Sequence, residues 1–394
     1  MKIKEIRAVP VNLTPRPKTK PRSKQDPDGG NFISPMDRYK QEITRTRWSQ
    51  KWATTACVVT AEDGSWGLGI APMAGPVCSI INDHYNELLS GENPIATERL
   101  WDLMYRSSTP YGVSGITSYA ISAVDNAIWD LKGKLMGYPV YELLGGPVKK
   151  KIPCYASNTN LSYPNKDNIS WFLELGFKAV KVFLRHGPEE GIAGLRKNEE
   201  LVAETRELIG PDIELAVDSW MSLNTEYAVR LVETLRKYHI KWLEDYFLPE
   251  DMNSYSNFRS RVPGQTLATG EHWYTIHPFA AAAKTGVVDI LQPDANWVGG
   301  ITSIIRICHI AEANGLTVIT HGGMNYPYGQ HIAAAMPVIP WGERSEGVSP
   351  PGIPLEEMAV LPGTSIIKEG YLTPSDKPGF GMELSIDWLE ERAV

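Results

Sequence analysis

Short apolar runs, each closed by a polar residue, recur at a nearly constant interval through the middle of this 394-residue chain. IELAVD ends at Asp218, IKWLE at Glu244 and QTLATGE at Glu271, so the intervals are 26 and 27 residues. DILQPD then ends at Asp294 and LTVITH at His321, again 27 residues apart. About 250 residues divided into eight strand–helix units would repeat about every 31 residues. Carboxylates that end successive parallel strands converge at one mouth of a barrel. These five side chains are therefore expected to share a site.

The remaining segments fit the same reading. KIPCYAS, FKAVKVFL and the stretch around 341–346 supply further strands. GLRKNEELVAETRELIG, TEYAVRLVETLRKY and GGITSIIRICHIAEANG are helical stretches between strands. Strand–helix alternation implies a parallel sheet with right-handed crossovers. Ahead of it, KIKEIRAVPVNL and WATTACVVTAEDGSWGLGIAP read as antiparallel strands, and the helical SYAISAVDNAIWDLKGKLMG stops at Gly137 and Pro139. The expected fold class is α/β, a TIM-type (β/α)7-8 barrel with an α+β capping domain formed by the N-terminal region plus the C-terminal tail. The expected boundaries are 1–148 for the capping domain, 149–363 for the barrel and 364–394 for a C-terminal segment packing on the cap. Residues 15–39, rich in Pro, Gly and charge, read either as a solvated linker or as a lid over the barrel mouth.

Composition narrows the function. A net charge of −7 with no basic stripe argues against a nucleic-acid partner. No apolar run approaches the length of a membrane span, and the first residues alternate like an edge strand instead of forming a signal peptide's apolar block. Cys57, Cys78, Cys154 and Cys308 stand singly, as expected for thiols in a reducing cytoplasm.

Three hard oxygen donors, Asp218, Glu244 and Glu271, suit Mg²⁺, which prefers octahedral oxygen coordination with places left for water and substrate. Asp294 and His321 on adjacent strands form a carboxylate–imidazole pair, in which the carboxylate fixes the tautomer and stabilises the charged ring. His321 reads as a general base.

Taken together, these residues resemble the enolase superfamily in its mandelate racemase branch, over essentially the whole chain. SAVDNAIWDLKGKLMGYPVYELLGG is similar to that branch's pre-barrel helix signature. Asp218, Glu244 and Glu271 match its Mg²⁺ ligands, and Asp294 and His321 its Asp–His dyad. KVFLRHGP with the following GLRK, VDSWMS and DKPGFGMELS resemble L-rhamnonate dehydratases. Lys181 is followed by Phe183 where racemases carry a second lysine, which argues against racemisation. Lys181 itself is either a fixed positive charge near substrate or a partner of a ligand carboxylate. Glu343 resembles a glutamate of the dehydratases that assists the intermediate or leaving group, with Glu346 close by. The chain has no histidine before His84, so a lid histidine of that family is absent or replaced. Arg47 falls near the place of a lid arginine, with Arg45 a rival. EDYFLP at 244–249 departs from the pattern usual after the fourth-strand ligand. Trp220, His272 and Tyr326 are substrate-contact candidates, and His186 and His331 weaker ones at the rim.

The resemblance implies a Mg²⁺-dependent dehydration of an aldonic acid sugar to a 2-keto-3-deoxy acid, with an L-rhamnonate-like substrate favoured, in a homo-oligomeric enzyme. The alternatives are an epimerase or cycloisomerase of the same branch, or a non-catalytic barrel that binds a sugar acid.

Overall fold

The structure, a computed structural model, describes residues 1–26, 30–345 and 348–394. An antiparallel sheet of β1 (Ile3–Val11), β2 (Thr54–Ala61) and β3 (Trp66–Ala71) opens the chain in the order β1-β2-β3. The helix Ile116–Met136 crosses it so closely that β3 has to read WGLGIA. A Cβ at Gly67 would fall 2.1 Å from Ala127 O, and one at Gly69 would fall 1.9 Å from Ala123 O.

That helix is buried over most of its length, yet it carries polar residues, which cost stability unless paired. Four of them have defined partners across the cap and the barrel. Ser122 Oγ accepts the N–H groups of Gly299 and Gly300 at 2.8 and 3.1 Å. Asp125 accepts Thr302 N at 2.9 Å and Thr302 Oγ1 at 2.7 Å, and Asn126 donates to Ala295 O at 3.0 Å. These bonds satisfy the free N–H groups at the start of the helix Gly300–Ala313. They also dock the cap onto the loop that carries Asp294. Asp130 joins a third part of the chain, accepting Leu68 N and Phe380 N at 3.0 Å each.

The barrel strands are β4 (Ile152–Asn158), β5 (Ala179–Phe183), β6 (Glu214–Asp218), β7 (Leu243–Glu244), β8 (Leu267–Thr269), β9 (Ile290–Leu291), β10 (Thr317–Val318) and β11 (Gly342–Arg344). They run parallel in the order β10-β9-β8-β7-β6-β5-β4-β11, with intervening helices outside. Between β10 and β11 the ring is bridged by single bonds, Val318 N to Val338 O at 3.1 Å and Met324 N to Glu343 O at 2.8 Å. Inside lies one layer of side chains, Tyr155, Ala179, Ala216, Trp242, Ala268, Ile290 and Ile319. The alanines make room for Tyr155 and Trp242, whose rings meet edge to face at 5.3 Å.

The last segment touches both parts. β12 (Tyr371–Leu372) pairs antiparallel with the start of β4, and further on Gly379 O accepts Val140 N at 2.9 Å and Arg392 O accepts Asn12 N at 2.8 Å. The segment 15–39 includes Pro27, Asp28 and Gly29, which lie outside the described residues. Its end is fastened over the barrel mouth. Ile33 N donates to Leu184 O at 2.9 Å, and the Phe32 ring packs on Phe183 and Trp220. The four cysteines are free; Cys57, Cys154 and Cys308 are buried. Among the described residues no helix is long and apolar enough to cross a membrane.

Candidate active site

Asp218 ends β6 and Glu244 ends β7, in register with each other; Glu271 follows β8 by two residues. Oxygens of all three lie within 4.8 Å of one another. Lys181 projects from β5 into the same space, 2.9 Å from Asp218 Oδ2, 2.8 Å from Glu343 Oε1 and in contact with Glu244. Its ammonium is thus paired with carboxylates of the cluster. Burial would lower the Lys181 pKa, but Glu244, Glu343 and Asp218 hold it well above the usual range. Burial pushes Asp218 up to about 6, Glu271 to about 7 and Glu244 to about 8, even against the pull of neighbouring cations. Asp218 and Glu244 share Lys181 with Glu343, and Glu271 faces His321 and His272, so the buried carboxylates outnumber their cations. This donor set, all hard oxygen and undercompensated in charge, fits a divalent cation of the Mg²⁺ type.

His321 and Asp294 meet at the adjacent strand ends, Nδ1 to Oδ2 at 2.8 Å. Asp294 is held in turn by Asn296 N, 2.6 Å from its other oxygen. The opposite ring nitrogen of His321, Nε2, lies 3.6 Å from Glu271 Oε2. Burial would depress the His321 pKa, but Glu271 and Asp294 hold it well above the usual imidazole range. The indole of Trp297 packs against the ring at 4.8 Å. A cavity of about 210 Å³ opens here, with Asp294, His321, Trp297, Tyr326, Gln50 and Trp52 in its wall.

Glu343, on β11, is fully buried between three donors. Lys181 and the Ser157 hydroxyl share Oε1, and Gly322 N donates to Oε2 at 2.8 Å. Burial alone would raise its pKa, but Lys181 and His321 bring it down to about 2. The carboxylate is thus an ionised acceptor. Glu346 lies outside the described residues.

The substrate-contact candidates divide. Trp220, at φ 36°, donates its backbone N–H to Asp218 Oδ1 at 3.0 Å, and its ring meets Phe32 edge to face. Arg47 is exposed on the lid helix Arg45–Trp48, whereas the Arg45 guanidinium lies 5.1 Å from the Trp220 ring, so the inward lid arginine is Arg45. His272 Nδ1 is 3.1 Å from Asp245 Oδ2 and 3.5 Å from Glu271 Oε1, beside the second oxygen of that carboxylate. His186 is turned to Glu190 at 2.7 Å. His331 is not at the rim. It is fully buried against Tyr141 and Phe380, and burial pushes its pKa down to about 3.

Asp245, Ser157 and Trp297 were not singled out from the sequence. The unusual EDYFLP loop was the available signal for Asp245, which adopts φ 46° and also accepts the Thr269 hydroxyl at 3.1 Å.

The profile of the enolase C-terminal domain-like family matches residues 168–388, and that of the mandelate racemase / muconate lactonizing enzyme N-terminal domain matches residues 40–145. An L-rhamnonate dehydratase of Saccharopolyspora erythraea is 38% identical over 339 residues, 84% of this chain and 83% of its own length. The crystal structure of rhamnonate dehydratase from Gibberella zeae complexed with Mg is similar with a TM-score of 0.87 at 30% identity, covering 100% of this chain and 96% of that one. The 3,6-anhydro-D-galactonate cycloisomerase of Zobellia galactanivorans follows with a TM-score of 0.78 at 26% identity, covering 100% of both chains. With both halves matched in order, the chain belongs to the mandelate racemase and muconate lactonizing enzyme family of the enolase superfamily.

Proposed function

We propose that this protein is a dehydratase of acid sugars, dependent on Mg²⁺, that removes the proton α to a carboxylate and expels the 3-hydroxyl, with an L-rhamnonate-like aldonate as substrate. The observation that carries the reading is the His321–Asp294 pair, whose outer nitrogen faces Glu271 of the carboxylate cluster at 3.6 Å.

An α-proton beside a carboxylate is very weakly acidic, because its removal leaves a doubly negative enediolate. A Mg²⁺ ion held by Asp218, Glu244 and Glu271 would supply positive charge where that anion develops. His321, neutral once a cation offsets the Glu271 charge and with its Nδ1–H donated to Asp294, takes the proton at Nε2. Asp294 stabilises the imidazolium so formed. The same Nε2–H then protonates the departing 3-hydroxyl, so hydrogen and hydroxyl leave from one face as water. The enol product tautomerises to a 2-keto-3-deoxy acid. Glu343, ionised and bound to Lys181, keeps that ammonium beside the anion and out of solvent.

Racemisation needs a base on each face of the α-carbon. Phe183, under the Phe32 ring at 4.9 Å, offers none at the end of β5, two residues after Lys181. The test is a screen of aldonic acids with Mg²⁺, reading 2-keto-3-deoxy acid with semicarbazide. A strong response to one deoxy-aldonate is expected; a blank across all aldonates would overturn the reading.

A further inference from the structure

A second cavity, of about 330 Å³, lies between the lid and the loop after β5, on the far side of the Phe32 and Arg45 side chains that pack on Trp220. Lys40, Arg45, Arg185 and Asp37 are its charged lining. Arg185 lies two residues after β5, and its Nε is buried without a hydrogen-bond partner among the described residues. A buried donor left unmatched costs stability, more so on a charged group. Arg45 meets the cavity from the lid, its guanidinium 4.2 Å from the Phe32 ring and 5.6 Å from that of Trp48. The carboxylate whose charge acts on it, Asp37, accepts Ser34 N and the Ser34 hydroxyl at 3.0 and 2.9 Å. Lys40 is committed to Glu190. Positive charge therefore exceeds negative in the lining, and Arg185 has the free donor.

We propose that this cavity binds a small oxyanion, a phosphate or carboxylate group, between Arg185 and Arg45, and so fastens the lid to the loop after β5. A guanidinium offers a planar fork of donors that matches such groups. The lid already approaches this loop through Lys40 with Glu190 and Arg38 with Glu189 at 3.8 Å. An anion shared by two arginines would add a third tie at the position closest to Trp220. Two sources carry this chemistry: a free inorganic anion, or the remote acid group of a doubly charged sugar acid reaching past the Phe32 ring.

The experiment is calorimetric titration of inorganic phosphate into the full chain, metal-free, alongside Arg185→Met and Arg185→Lys variants. Saturable one-to-one binding is expected, weakened about tenfold or more in the methionine variant by loss of a charge-assisted contact, with partial recovery in the lysine variant. No binding by the unaltered protein, or equal binding by the methionine variant, would overturn the proposal. The two sources separate by steady-state kinetics. Phosphate that raises the KM of a dicarboxylic sugar acid alone marks the substrate's remote group. Phosphate that leaves every KM unchanged while it binds marks a free anion. The binding arm needs no turnover, so it stands or falls independently of the dehydratase reading.

Discussion

His321 Nε2 lies 3.6 Å from Glu271 Oε2, so the proposed base and one proposed metal ligand share an electric field. Without a cation, the Glu271 carboxylate is the leading reason that the histidine stays protonated well above the ordinary range. A cation on Glu271 would take up that charge and leave Asp294 as the principal partner of the ring. Metal binding and the protonation of His321 would thereby be linked, in the direction that leaves the ring neutral and free to accept a proton when the site is loaded.

Proton release is the first consequence. Asp218, Glu271 and Glu244 have pKa values raised to about 6, 7 and 8, so near neutral pH part of the cluster is protonated. Metal binding needs them ionised. Titrating the metal-free protein with Mg²⁺ at pH 6.5 in weak buffer is expected to release protons, and apparent affinity is expected to rise as pH goes from about 6 to about 8. A pH-stat measures both. Release of none at pH 6.5 would contradict the charge assignment.

The Asp294 carboxylate raises the His321 pKa, so its removal lowers it. In Asp294→Asn the acid limb of the rate profile is expected to shift to lower pH, while kcat falls by about 10²–10⁴ because the imidazolium loses its partner. A profile of kcat against pH for both proteins checks the two effects. An unshifted limb would remove Asp294 from the role given to it.

Phe183 beside Lys181 makes the site one-sided. Incubating both C2 epimers of a responsive aldonate in D₂O is expected to incorporate deuterium at C2 of one epimer only, as read by proton NMR. Exchange at C2 of both would place a second base opposite His321.

The cap-to-barrel joint is separable from the chemistry. Asp125 accepts two bonds from Thr302 at the start of a helix, and truncating Asp125 leaves those donors unmatched. Asp125→Ala is expected to cost about 1–3 kcal/mol in urea unfolding, and Asp125→Asn less, since the amide oxygen retains one acceptor position.

The barrel and the five strand-end residues were legible because a parallel strand is a short apolar run, and a polar residue at its end has few reasons to be there except the mouth. The resemblance then supplied their roles. What escaped was set by backbone conformation and by distant partners. Asp245 follows Glu244, and an ordinary extended backbone would point it away from the site; only φ 46° turns it toward His272. Ser157 matters through Glu343, 186 residues away, a pairing that no local pattern announces. Arg45 and Arg47 sit two apart on one turn of helix, hence on nearly opposite sides, and the sequence does not say which side faces in. His331 falls soon after His321, but it lies on a helix buried all round, so proximity in sequence misleads.

The central claim is that His321 removes the α-proton at a site whose cation is held by carboxylates alone. The most direct measurement is 2-keto-3-deoxy acid formation at saturating Mg²⁺ from the aldonate that responds best, by the unaltered protein and by His321→Asn, with Mg²⁺ affinity measured in parallel. Turnover is expected to fall by about 10⁴-fold or more, the upper range for loss of an acid–base group, with affinity for the ion retained. Turnover within about tenfold of the unaltered protein would contradict the assignment, since that loss is below what such a group supplies.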